Sequence, residues 1–320
     1  MAHAEDNRAS IREVVVISGK GGTGKTSLTA SFAMLAGSVV VADCDVDAAD
    51  LHLILEPRVR RREDFSGGKT ARIDPDACIA CSTCQGYCRF GAVSMKMLES
   101  EGSMRPVFEI DPIACEGCGV CAWFCPEDAI TLEDAINGEW FVSDTRAGTM
   151  VHARLGIAEE NSGKLVSVVR ASARAEAAAS ETPLVLVDGS PGIGCPVIAS
   201  ITGACLAVTV CEPTCSGLHD LKRVAELAGH FDIPVAVVVN KWDINPAMSE
   251  AVLEYCEAEG LHAIGRIPYD EAVTGAMIAR KSVVEHGGEA AQAIENIWRS
   301  VLELLDTPKE TSARTAYGAR

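Results

Sequence analysis

Eight cysteines fall in two short runs, Cys78, Cys81, Cys84, Cys88 and Cys115, Cys118, Cys121, Cys125, each spaced C-x2-C-x2-C-x3-C. Three thiolates two residues apart can wrap one face of an iron–sulfur cubane, each reaching a different iron, and the fourth iron is reached from elsewhere. Zinc is the alternative, but zinc sites take paired C-x2-C arms from separated segments. Iron is therefore the better match.

A second chemistry lies in ISGKGGTGKTS, Ile17 to Ser27. Gly19, Gly24, Lys25 and Thr26 fit G-x-x-x-x-G-K-[ST], with an apolar strand before and a helix after. Glycines let backbone N–H groups turn in on phosphates, Lys25 reaches the β and γ oxygens, and the Thr26 hydroxyl ligates Mg2+. Gly21, Gly22, Thr23 and Ser27 belong to the same cradle, and the helix start adds partial positive charge. LVLVDGSPG is an apolar strand ending in Asp188, placed to hold Mg2+ through water. After the second strand, VVADCDVDAAD offers Asp43 or Asp45 to position an attacking water; Asp47 and Asp50 read as a solvated acidic loop.

The chain that must position these groups has 320 residues, 48% of them hydrophobic, enough for one large α/β domain and a small module. Its net charge of −17 and 5% aromatic content argue against nucleic acid or anionic lipid as partners. The opening residues are polar and no apolar run reaches membrane length, so a cytoplasmic location is expected. Fourteen cysteines there are not a disulfide framework. Cys44, Cys205, Cys211, Cys215 and Cys256 read as packing residues, and Cys195 as a small buried thiol at a helix start, with a redox or metal role as the alternative. The histidines form no spaced pair and take no role.

Apolar strands (REVVVISG, SVVVADCD, PLVLVDG, ACLAVTVC, IPVAVVVN, HAIGRIP) alternate with helical stretches, which predicts a doubly wound, mostly parallel sheet. Asn161 or Ser162 caps one helix, and the amphipathic EAAQAIENIWRSVLELLD should pack on the sheet. LEPRVRRREDFSGGKT, with mixed charge and glycines, reads as a boundary. The cysteine segment interrupts the alternation after the second strand. The expected division is therefore 1–66 with 136–306 as a discontinuous nucleotide domain, 67–135 as an inserted α+β module, and 307–320 as a disordered tail.

Lys20 is a second lysine in the loop. Lys20-Gly21-Gly22-Thr23-Gly24-Lys25-Thr26 resembles the deviant Walker A ATPases of the MinD, ParA, Mrp and nitrogenase iron protein group, whose loop is K-G-G-x-x-G-K-[ST]. DCDVDAADLHL and DGSPGIG resemble that group's two switches. The resemblance implies a homodimer closing on ATP, with Lys20 crossing to the partner's phosphates. It also favours ATP in the base pocket, with Asn240 of NKWD near adenine; N-K-x-D in GTPases reads guanine, so GTP stays open. Residues 73–131 resemble bacterial-type two-cluster ferredoxins. By that resemblance ligation crosses over: Cys78, Cys81, Cys84 and Cys125 hold one 4Fe–4S cluster, and Cys88, Cys115, Cys118 and Cys121 the other. Arg89 stands where the usual proline follows the first run, and its charge favours the reduced state. The whole pattern resembles ATPases of this group with an inserted ferredoxin. It implies an ATP-gated electron carrier to a redox partner, with a cluster assembly or delivery ATPase, or a MinD-like positioning protein, as alternatives.

Overall fold

The computed structural model describes residues 11–100, 102–156 and 162–307. The strands are β1 (Arg12–Ser18), β2 (Val39–Asp43), β3 (Arg58–Ile73), β4 (Val93–Ser100), β5 (Ser103–Ile110), β6 (Ile130–Thr145), β7 (Gly148–Leu155), β8 (Leu184–Pro191), β9 (Leu206–Cys211), β10 (Val235–Asn240) and β11 (His262–Ile267). The helices are α1 (Lys25–Ala36), α2 (Leu51–Leu55), α3 (Thr83–Tyr87), α4 (Val120–Trp123), α5 (Ser162–Ala179), α6 (Cys195–Ile201), α7 (Cys215–His230), α8 (Pro246–Glu259), α9 (Glu271–Ile278), α10 (Val283–His286) and α11 (Glu289–Asp306).

Nine strands form one sheet in the order β11-β10-β9-β1-β8-β2-β7-β6-β3. From β11 to β7 every pairing is parallel, and β6 and β3 add two antiparallel strands. The central strands are apolar throughout because both faces are covered. Alternate residues of β1 go to opposite cores. Val15 and Ile17 pack with α5, α6, α7 and α8. Val14 and Val16 pack with α1, α2, α10 and α11. On α11 the stripe Ala290, Ile294, Ile297, Trp298 and Val301 is buried, as its spacing predicts.

The segment expected to be a boundary is not a loop. LEPRVRRREDFSGGKT lies mostly within β3, which runs antiparallel to β6 for sixteen residues. The lower half of this ribbon is part of the main sheet, and the upper half carries the cysteine runs. Its register shifts between Phe65 and Gly68, where Ser66 pairs with Ile136. Beyond that point β4 and β5 form a two-stranded hairpin, with α3 before β4 and α4 after β5. A small separate core of Ala71, Ile73, Val93, Phe108 and Ile130 holds this module together.

Two cysteine assignments change. Cys195 and Cys215 are exposed at helix starts instead of packed inside, whereas Cys44, Cys211 and Cys256 are buried as expected. Asn161 and residues 308–320 of the expected tail lie outside the described residues. Among the described residues no helix is long and apolar enough to cross a membrane.

Candidate nucleotide site and cysteine module

The loop between β1 and α1 ends at Gly24, whose φ of 94° suits glycine and whose missing side chain leaves room for Asn240. A Cβ there would come 2.5 Å from Asn240 Nδ2. That amide donates to the Thr23 carbonyl at 2.7 Å, tying the end of β10 to the loop. No side chain caps α1, so its first backbone N–H groups face the loop's concavity. Ser18 Oγ donates to the Lys20 carbonyl at 2.8 Å, and the Ser27 carbonyl accepts from Ser31. Gly19 packs against Asp220 of α7, while Gly21 and Gly22 face open space.

Lys25 is buried, with Nζ 3.0 Å from Asp188 Oδ1 and 3.1 Å from Asp45 Oδ2. Thr26 donates to Asp188 Oδ2 at 2.8 Å, and Thr29 to Asp188 Oδ1 at 3.0 Å. Asp43 lies opposite Asp188 in the β2–β8 register. Its Oδ1 accepts from the Asp45 amide at 3.3 Å, and its Oδ2 is buried without a hydrogen-bond partner. Asp47 and Asp50 are exposed, as expected of a solvated loop.

Two carboxylates therefore share one ammonium, with Asp43 as a third acid close by. Burial works against the charge on Lys25, but Asp188 and Asp45 outweigh it and hold the proton more tightly than usual. The acids shift the other way. Burial, then the neighbouring Asp188, pushes Asp43 well above the ordinary carboxylate range. Burial also raises Asp45 against the pull of Lys25. The spare acceptor on Asp43 beside the Thr26–Asp188 pair fits a divalent cation.

Lys20 does not point away from its own chain. Nζ lies 3.2 Å from Glu212 Oε2, and Lys241 holds the other oxygen at 2.8 Å. Glu212 and Thr29 are functional neighbours that the motifs alone did not flag. Thr29 lies one helical turn after Lys25, and Glu212 directly follows a parallel strand, where ligand sites gather in such sheets.

At the module, one hollow of about 340 Å3, open mouth included, is lined by Cys78, Cys81, Cys84 and Cys125, with Ile73, Phe108 and Pro126. A second, of about 360 Å3, is lined by Cys88, Cys115, Cys118 and Cys121. Each takes three cysteines from one run and one from the other. Tyr87 and Phe124, each preceding a crossing cysteine, stack with ring centroids 4.2 Å apart. The Ala71 and Ala129 amides donate to Cys115 Sγ and Cys125 Sγ at 3.5 and 3.3 Å. The Thr83 hydroxyl, 3.3 Å from Cys81 Sγ, favours the thiolate there, whereas burial raises Cys84 and Cys121. Among the described residues no three His, Cys, Asp or Glu side chains converge as holders of a single metal ion. The thiols surround hollows instead of closing on a point, unlike a tetrahedral zinc site with sulfurs ~2.3 Å from the metal.

The parallel sheet and its loop define a phosphate-binding, P-loop α/β protein. Residues 14–283 match the family model CbiA, described as the CobQ/CobB/MinD/ParA nucleotide binding domain, and the chain belongs to that family. It is 33% identical over 238 residues to the uncharacterized protein MJ0578 of Methanocaldococcus jannaschii, covering 73% of this chain and 80% of that one. A second uncharacterized protein of that organism, MJ0579, is 24% identical over 235 residues, 72% of this chain and 81% of its own. Among solved structures, the cell division ATPase MinD of Pyrococcus furiosus superimposes with a TM-score of 0.51 at 18% identity, over 92% of this chain and 99% of that one. MinD of Pyrococcus horikoshii, complexed with Mg-ADP, gives 0.52 at 15% identity, over 92% and 98%. At such identities the likeness is one of fold.

Proposed function

We propose that this protein is an ATPase that pairs with a second copy across bound ATP and couples that cycle to electron transfer toward a redox partner. The observation that carries this reading is the pair of hollows, each lined by four crossed cysteines, on a ribbon rooted in the nucleotide sheet. Cys78, Cys81, Cys84 and Cys125 would hold one 4Fe–4S cluster, and Cys88, Cys115, Cys118 and Cys121 the other. Such clusters supply one-electron oxidation and reduction when bound. Backbone donors to two of the sulfurs and a largely apolar lining support the fit. Residues 67–135 form the inserted module in this reading, joined to 1–66 and 136–306 at the ribbon's irregular point.

Lys25 would leave Asp45 and Asp188 to take the β and γ phosphates. Thr26 and Asp188 would hold Mg2+, with Asp43 Oδ2 as the acceptor ready beside them. Asp45, no longer paired, would orient water for attack on the γ-phosphorus and accept its proton as the bond to the ADP oxygen breaks. Lys20 of each copy would move from Glu212 to the other copy's phosphates, a charge delivered only when two chains meet. Asn240 holds the loop and borders the base. Trp123 and Ile113, exposed beside the second run, offer an apolar contact for a protein partner.

A second reading is a cluster carrier, favoured by Cys81 and Cys118, which are exposed to solvent. Anaerobic spectroscopy with ATP and with ADP tests the first reading. Stable clusters whose signals change with nucleotide support it, and signals indifferent to nucleotide overturn it. Transfer of iron and sulfide to an apo-protein would favour the carrier.

A further inference from the structure

The strand that carries Asp188 runs on to Pro191, and the short loop Gly192–Gly194 leads straight into α6 at Cys195, so a shift at Asp188 has a short path to α6. Helix α5 is docked along α6 at both ends. At the start, Gly163 lies so close that a Cβ there would stand 3.3 Å from Cys195 Cβ and 3.4 Å from its carbonyl carbon. Further along, Arg170 Nη1 donates to the Ala199 and Thr202 carbonyls at 2.5 and 3.0 Å. The same arginine anchors α5 to β1 through the buried Glu13, Nε to Oε1 at 2.6 Å.

The other side of α5 grips β3 at two points. Lys164 Nζ donates to the Ser66 and Gly67 carbonyls at 3.3 and 3.1 Å. Glu176 Oε2 accepts from Arg60 Nη2 at 2.5 Å, with Arg61 Nη1 3.5 Å from Oε1. Between these grips Leu165, Val166, Val169 and Ala173 are fully buried, which favours the helix moving as a unit.

Of the ribbon's two irregular points, the other at Val59–Arg61, the Lys164 contact lands on the one nearer the cysteine module. There the β3–β6 register shifts, and the Gly67 and Gly68 amides both donate to Asn137 Oδ1, at 2.8 and 3.0 Å. Bulges bend the strands that carry them. The residue seated on α6 and the residue holding the bend are consecutive in sequence.

We infer that α5 transmits nucleotide state to the cysteine module, with Lys164 as the positioning residue that sets the bend of the β3–β6 ribbon. This rests on the coupling proposed above and names its route. A shift of α6 by about 1–2 Å, usual for switching helices, displaces Gly163 and with it the Lys164 ammonium. The ribbon then tilts about Ser66–Gly68, and the hollows above it move relative to the sheet.

Hydrogen–deuterium exchange on the full chain tests this without relying on activity. Peptides covering 66–73 and 130–138 are compared with a non-hydrolysable ATP analogue and with ADP. Wild type should show a difference between the two nucleotides. Lys164→Gln should lose it while binding the analogue within about twofold of wild type, and Lys164→Arg should restore it. Lys164 is exposed, so folding is not at stake. A Lys164→Gln chain that keeps the wild-type difference overturns the α5 route and leaves coupling standing. A wild-type chain with no difference overturns the coupling itself.

Discussion

Lys20 Nζ lies 3.2 Å from Glu212 Oε2 of the same chain, so the lysine proposed to serve a second copy is held at home. Lys20→Ala should abolish ATP-dependent pairing, read as the mass difference between ATP and ADP samples in sedimentation velocity. Glu212→Gln should release the lysine and tighten the pair by about 1.5–5-fold, the worth of a partly exposed ion pair of ~0.2–1 kcal/mol. Weaker pairing in Glu212→Gln would show that Glu212 serves the closed form instead.

Asp43 gives a pH dependence. Its carboxyl is raised above the ordinary 3.8, by burial first and by the Asp188 charge second. A carboxyl that binds its proton more tightly folded than unfolded stabilises most at low pH. That stability is lost as pH rises from the ordinary value through the raised one. Asp43→Asn removes the loss. Nucleotide-free Asp43→Asn should gain thermal stability over wild type as pH rises above the ordinary carboxylate range. Mg2+-dependent ATP hydrolysis should fall by roughly 10–100-fold, the range for losing a group that orients a metal site. Melting curves parallel to wild type at every pH would refute the assignment.

The crossed lining of the hollows is testable cysteine by cysteine. Each chain should bind on the order of eight irons. Cys125→Ser should disturb the same paramagnetic signal as Cys78→Ser, and Cys88→Ser the same as Cys115→Ser. Signals that group by run, with Cys88 affecting the Cys78 cluster, would mean that the crossing is absent.

Asn240 Nδ2 holds the Thr23 carbonyl at 2.7 Å, and Asp243 Oδ1 accepts from the Tyr269 amide at the same distance. With that oxygen engaged, Asp243 is poorly placed to read guanine, and ATP should outcompete GTP in equilibrium binding. Asn240→Ala should weaken ATP by about 2–12-fold, one hydrogen bond of ~0.5–1.5 kcal/mol. Equal affinity for GTP, lost on Asp243→Asn, would reverse the base assignment.

What could be read in the sequence was local. The loop from Gly19 to Thr26, Asp188 at a strand end and the cysteine spacings each declare their geometry within a dozen residues. The β3–β6 ribbon did not, because Arg58–Asp64 shows no apolar alternation and pairs with residues 139–144 far along the chain. Cys195 and Cys215 misled because cysteine is usually buried, whereas here both begin surface helices. Glu212 beside Lys20 is a contact between distant segments that no spacing encodes.

The ribbon has one more consequence. β3 is the last strand of the sheet, and a free border of this length invites another polypeptide to add to it. Arg58, Arg60, Arg61, Arg62, Glu63 and Asp64 all stand exposed along that border. Desolvating so many charges would penalise any strand that stacked there. The same stretch that hides a strand from a reader of the sequence keeps crowded copies from fusing sideways into aggregates.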